Sequence, residues 1–113
     1  MQPLRAVAFG LNGRMDKRLP IAIVVQLSCI HDDREGAPEL TYSENVSAHG
    51  VCVVSKRPWH RGEQAKVTSF REQIGLRGKV VHCHKFGAER YYVGLTFQGQ
   101  EVTWSTFRSY ATS

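Results

Sequence analysis

A succession of short β-branched runs, each closed by turn residues, constrains this chain more than any other feature. Residues 19–30 (LPIAIVVQLSCI) form the strongest of them, dense in Ile and Val and opened by Pro20, which a strand tolerates at its first position. Asp32-Asp33-Arg34-Glu35-Gly36 then supplies turn residues. Short strands are expected over 40–44 and 50–54, a turn with Pro58 and Gly62 over 56–62, and further strands over 64–70 and 76–86. Gly87-Ala88-Glu89 closes a hairpin into a last strand over 91–97 (YYVGLTF). Strands this short, at regular spacing with turn signals between them, predict an all-β barrel or sandwich. Residues 100–110 read as a short terminal helix, because Trp104, Phe107, Arg108 and Ala111 fall at helical spacing. Residues 1–13, apolar side chains scattered around Gly10 and Gly13, read as a flexible N-terminal arm, and 14–113 as a single domain.

With 113 residues, 42% of them hydrophobic, the chain can build one core, which excludes a wholly disordered polypeptide. The longest apolar stretch, 21–25, is far short of the roughly 18 residues of a membrane span. The apolar patch near the start is too short and too broken by Gly for a secretory signal, so a cytoplasmic location is expected. Cys29, Cys52 and Cys83 are odd in number, widely spaced and without a CxxC pair, which argues against a disulfide framework. Fifteen Lys and Arg against ten Asp and Glu leave a formal charge of +5, which suits an anionic partner, a nucleotide or nucleic acid.

Two polar constellations stand out. Arg14-Met-Asp-Lys-Arg18 places two Arg four apart just ahead of the strongest strand, but Arg57-Pro-Trp-His-Arg61 has the same spacing, so the pair alone says nothing. Asn45-Val-Ser-Ala-His-Gly50 is more specific and lies between two strand-like runs. On its own it can be an Asx-type turn closed by a Gly at positive φ. Arg57 and Arg61 read as a solvated turn with one aromatic, Trp59, packed beneath it. In His82-Cys83-His84 strand alternation lets only the two His share a metal, and two ligands are too few for structural zinc. A solvent-facing His pair with Cys83 turned inward, and no metal, is expected. No Ser sits in GxSxG, and Gly-rich phosphate loops and paired carboxylates are missing, so no catalytic residue and no enzyme activity is expected.

Taken in order, Arg14-x-x-x-Arg18, Asn45-x-Ser47-x-x-Gly50 and Val93-Gly94-Leu95-Thr96-Phe97 give the chain a pattern that resembles the PilZ family, bacterial receptors for cyclic di-GMP. The resemblance covers roughly residues 12–100. It implies a six-stranded antiparallel β-barrel with a short C-terminal helix, and cyclic di-GMP held outside the barrel by Arg14, Arg18, Asn45, Ser47 and Gly50, with no other cofactor. The residue types suit that ligand. Arg presents a fork of N–H donors to guanine O6 and N7 or to phosphate. Asn45 can meet the N1–H and N2 edge of guanine, Ser47 offers a small donor and acceptor, and Gly50 lets backbone approach a flat base. Binding would order the arm and present a new surface to an unidentified downstream protein in motility, biofilm or exopolysaccharide control. Two other readings stay open at this point: a PilZ-like adaptor that binds only protein, and a small barrel that stacks single-stranded nucleic acid on Trp59, Tyr91 and Tyr92. These aromatics are not interleaved with cations along one strand, so nucleic acid ranks last.

Overall fold

The computed structural model of the protein describes residues 17–32 and 34–104. Among them are seven strands: β1 (Val24–His31), β2 (Arg34–Glu35), β3 (Glu39–Val46), β4 (Gly50–Ser55), β5 (Gln64–Ser69), β6 (Ile74–Gly87) and β7 (Arg90–Phe97). They are hydrogen-bonded in the order β2-β1-β3-β4-β7-β6-β5, and β1 pairs again with β5, from Gln26 opposite Thr68 to Ile30 opposite Gln64. That last pairing closes six antiparallel strands into a barrel, which removes the open sheet edges that invite association. The two-residue β2 only extends the end of β1.

Period-two alternation explains the closure. Ala65, Val67 and Ser69 of β5 and Val93, Leu95 and Phe97 of β7 are buried, and they meet Val25 and Leu27 of β1 and Val51 and Val53 of β4 inside. Two tryptophans belong to this core at opposite ends of β4. Trp59 donates its indole N–H to Ser55 at 2.9 Å, and Trp104 donates to the backbone oxygen of Ser47 at 2.8 Å.

Two expectations need correction, and a third lies largely outside the described residues. The first strand was expected from residue 19, but regular pairing starts at Val24. Pro20 has no N–H to give, and β3 carries a bulge between Ser43 and Asn45, so 19–23 run beside β3 by other bonds. Leu19 and Val46 exchange two backbone hydrogen bonds of 2.8 and 2.9 Å. The buried Ser43 hydroxyl accepts from the Ile23 N–H at 2.8 Å and donates to the Ile21 carbonyl at 2.6 Å. Next, the expected turn at 32–36 contains β2, with Asp32 taking the positive φ of 51°. Lastly, the helix expected over 100–110 has not begun by residue 104, and its remainder lies outside the described residues. Here the chain is fastened instead to the β3–β4 connection, the Val102 N–H donating to the Ala48 carbonyl at 2.7 Å. Trp104 is fully buried at the end of this tether.

Among the described residues no helix is long and apolar enough to cross a membrane.

Removing the Ser43 hydroxyl orphans one buried donor and one buried acceptor at once. Ser43→Ala is expected to lower stability by about 1–3 kcal/mol, read as a shift of the urea midpoint with unchanged slope.

Candidate functional site

The β3–β4 connection and the segment ahead of β1 meet on the outside of the barrel. Asn45 is the second-last residue of β3, placed just beyond the bulge and half-buried. The Leu19–Val46 pair anchors the incoming chain one residue away, and there the exposed Arg18 Nη1 donates to Asn45 Oδ1 at 2.9 Å across 27 residues of sequence. Arg18 and Asn45, two of the expected site residues, are therefore in contact at the surface. Arg14 lies outside the described residues.

Ser47 and Gly50 are placed differently. Ser47 is fully buried, its N–H donating to the Gly50 carbonyl at 2.9 Å and its hydroxyl reaching the same oxygen at 3.3 Å. Gly50 opens β4 in ordinary extended backbone, so the alternative of a turn closed by a glycine at positive φ does not hold. Among the described glycines positive φ belongs to Gly62 and Gly99. Contact, and not conformation, demands glycine here: a Cβ on Gly50 would stand 2.5 Å from the Leu95 carbonyl oxygen. Both residues shape the turn that carries Asn45.

From Asn45 a row of outward positions crosses the sheet, pairing Asn45 with Cys52, Cys52 with Gly94, and Gly94 with His82. Gly94 contributes no side chain, and the His82 imidazole lies in the space so left; a Cβ on Gly94 would overlap it. His82 is thus half-buried and not the solvent-facing residue expected, while Cys83 does turn inward, where its sulfur meets the Trp59 N–H at 3.5 Å. The His84 ring sits 5.2 Å from that of His82. Burial, then the charges of His84, Arg18 and Arg61, hold the His82 imidazole below its ordinary range, and its Nδ1 is buried with no hydrogen-bond partner among the described residues. Burial pushes the Cys52 thiol up, Arg18 opposes, and Glu44 adds to the rise.

His82, Cys52 and Gly94 were not among the site residues expected from sequence. Counting back from the hairpin at Gly87–Arg90 pairs His82 with Gly94 only if the register shift between Lys85 and Gly87 is known.

Arg57 and Arg61 separate. The Arg57 guanidinium lies 3.7 Å from the Trp59 ring centroid and 3.3 Å from the Glu63 carboxylate, so it staples the turn over a core aromatic. Burial alone would push the Glu63 carboxyl up, but hydrogen bonds from the His60 N–H and Arg57 outweigh it and hold the group below its ordinary range. Arg61 is exposed, and its charge is felt at His82. Among the described residues no three His, Cys, Asp or Glu side chains converge to hold a metal ion.

Two outcomes follow for the free protein. Gly50→Ala is expected to cost about 1–3 kcal/mol as β4 or β7 shifts to admit the methyl group, measured by denaturant unfolding. Because folding depresses the His82 imidazole, the unfolded chain takes up its proton first. Stability relative to His82→Gln is therefore full above the unfolded value of 6.5 and falls as the pH drops through it, which paired unfolding curves on either side of that pH will read.

No curated protein matches the chain. A family model described as PilZ domain matches residues 12–110, nearly the whole sequence and all of the barrel. The match spans both motif segments and the strand that ends in Phe97, and the ring of six antiparallel strands agrees with it. The chain belongs to the PilZ domain family.

Proposed function

We propose that this protein is a receptor for cyclic di-GMP, which it binds on the outer face of the barrel beside the β3–β4 turn. PilZ domains as a family are binding domains, not enzymes, and the family as a whole is one of cyclic di-GMP receptors. The observation that carries the reading to these residues is the hydrogen bond from Arg18 to Asn45. It holds a guanidinium at the surface with one nitrogen engaged, and leaves further N–H donors for a phosphate oxygen or for guanine O6 and N7.

Each site residue then has a role. Arg18 provides the charged fork, already oriented by Asn45, so less side-chain freedom is lost on binding than for a solvated Arg. Asn45 keeps amide donors for the ligand while its oxygen accepts from Arg18. Ser47 and Gly50 act through the turn and not by contact: both are buried, Ser47 donates to the Gly50 carbonyl, and Gly50 packs against the Leu95 carbonyl. Arg14, four residues ahead of Arg18, supplies a second guanidinium to the same ligand. Drawing it in orders the segment before β1, and the changed surface regulates a partner protein in motility, biofilm or exopolysaccharide control.

The burial pattern counts against the barrel as a stacking platform for single-stranded nucleic acid. Trp59 is in the core with Arg57 over its ring, and Tyr91 packs against the core, which leaves Tyr92 of that trio on the outer face.

Calorimetry of the purified protein with cyclic di-GMP tests the reading. Saturable binding is expected at micromolar concentrations or below. Arg14→Ala and Arg18→Ala should each weaken it between about tenfold and over a hundredfold, the worth of a charged hydrogen bond of about 1.5–3 kcal/mol. Lys17→Ala, which removes charge without a placed contact, should change it by less than about threefold. Absence of binding, or Arg18→Ala binding as well as wild type, would reject the proposal.

A further inference from the structure

We propose that cyclic di-GMP binding is coupled to uptake of one proton from solvent by His82, so that the receptor gains affinity as its surroundings acidify. The inference rests on the cyclic di-GMP reading, and adds to it a residue outside the two motifs and a chemical signal that the site would read alongside the nucleotide.

The geometry begins with Gly94. Its missing side chain lets the His82 imidazole lie across β7, in the same outward row as Asn45, to which Arg18 is bonded. In that position the neutral ring is favoured in the free protein on two grounds. An imidazolium has a donor on each nitrogen, and Nδ1 is buried where no described residue offers it an acceptor. The charges around the ring are also of one sign. Arg18 reaches it from the segment ahead of β1, Arg61 from the β4–β5 connection, and His84 from β6 itself, 5.2 Å away ring to ring. Across Gly94, β4 presents Cys52, whose thiol burial keeps neutral. On β7 the neighbouring outward residue is Tyr92, opposite His84. The carboxylate of Glu44, on β3, acts on Cys52 and Tyr92 but is not among the charges that shift His82.

Cyclic di-GMP brings two negative charges to Arg18. They offset the repulsion that His84, Arg18 and Arg61 exert on the ring. The charged form of His82 becomes favoured in the complex while the neutral form is favoured without it. The complex therefore holds more protons than the free protein, and affinity must rise as pH falls between the two titration points, with plateaus above and below. The ligand has no group that titrates between about pH 5.5 and pH 8, so the linkage belongs to the protein.

Calorimetric titrations of the full chain with cyclic di-GMP, in two buffers of different ionisation enthalpy at about pH 5.5, 6.5 and 8, test this. Wild type is expected to bind about tenfold tighter at the acid end, the factor that goes with a titration point about one pH unit higher in the complex. Buffer-dependent heat at about pH 6.5 should report uptake of up to one proton. His82→Gln should bind with affinity that does not vary with pH, and His84→Gln should keep the dependence. In parallel, the His82 ring proton resonances should titrate below 6.5 in the free protein and at higher pH in the complex. Binding with flat affinity and no buffer-dependent heat would overturn the proton coupling and leave the receptor reading intact. So would a pH dependence that survives His82→Gln and disappears in His84→Gln. Failure to bind at every pH would overturn both.

Discussion

Two backbone hydrogen bonds between Leu19 and Val46, reinforced by the Ser43 hydroxyl two residues further along, hold the start of the domain against the end of β3. Everything proposed for the site depends on them. Arg18 is exposed and long, and in solvent its guanidinium would sample many rotamers. Because the chain on one side of it is pinned to Val46, it can reach Asn45, which stands next to Val46 on the same strand. A cationic residue at the entrance of the domain is thereby converted into a fixed element of the barrel surface. The bulge in β3 serves the same end, since it re-aims Asn45 outward while Val46 returns to the core.

The proposed site lies outside the barrel because the inside is filled. Val25, Leu27, Val51, Val53, Val93 and Leu95 are close to fully buried, and Trp59 and Trp104 pack at opposite ends of β4. The outer sheet is given its relief by glycine. At Gly50 the absence of a Cβ lets β4 approach the Leu95 carbonyl, and at Gly94 it leaves a slot that an imidazole occupies. The outer face between them carries Arg18, bonded to Asn45, and His82 in the Gly94 slot. In the proposed complex the Arg18 guanidinium meets a phosphate or the acceptor edge of guanine, which suits both steering and orientation.

Much of the fold could be read from the residues, because strands with one face inward write a period of two into the chain. Gln64–Ser69, Arg90–Phe97 and Gly50–Ser55 fall within a residue or so of the expected limits for that reason. Where pairing departs from a regular ladder, the pattern could not show it. Residues 19–23 are as β-branched as β1 itself, yet Pro20 and the bulge opposite divert them into an irregular mix of backbone bonds and bonds through the Ser43 hydroxyl. After residue 100, Trp104 is buried by a tether to Ser47 that joins positions 57 residues apart, a contact that helical spacing could not show. Within the site, Arg18 and Asn45 were legible as chemistry and as order along the chain. Ser47 and Gly50 carry the motif while being buried, which no single sequence reveals. His82 needed the register of β6 against β7, and one shifted residue there decides which side chain faces Gly94.

Mapping the complex by two-dimensional nuclear magnetic resonance tests the central claim most directly, since it reports where on the barrel the dinucleotide sits independently of how tightly it is held. Adding cyclic di-GMP to isotope-labelled protein should shift the amides of Arg18, Asn45, Cys52, His82 and Gly94 most, together with those of the turn between β3 and β4. The strands on the opposite wall, around Lys66 and Arg77, should scarcely respond. Shifts concentrated on that opposite wall, with Arg18 and Asn45 unmoved, would contradict the account.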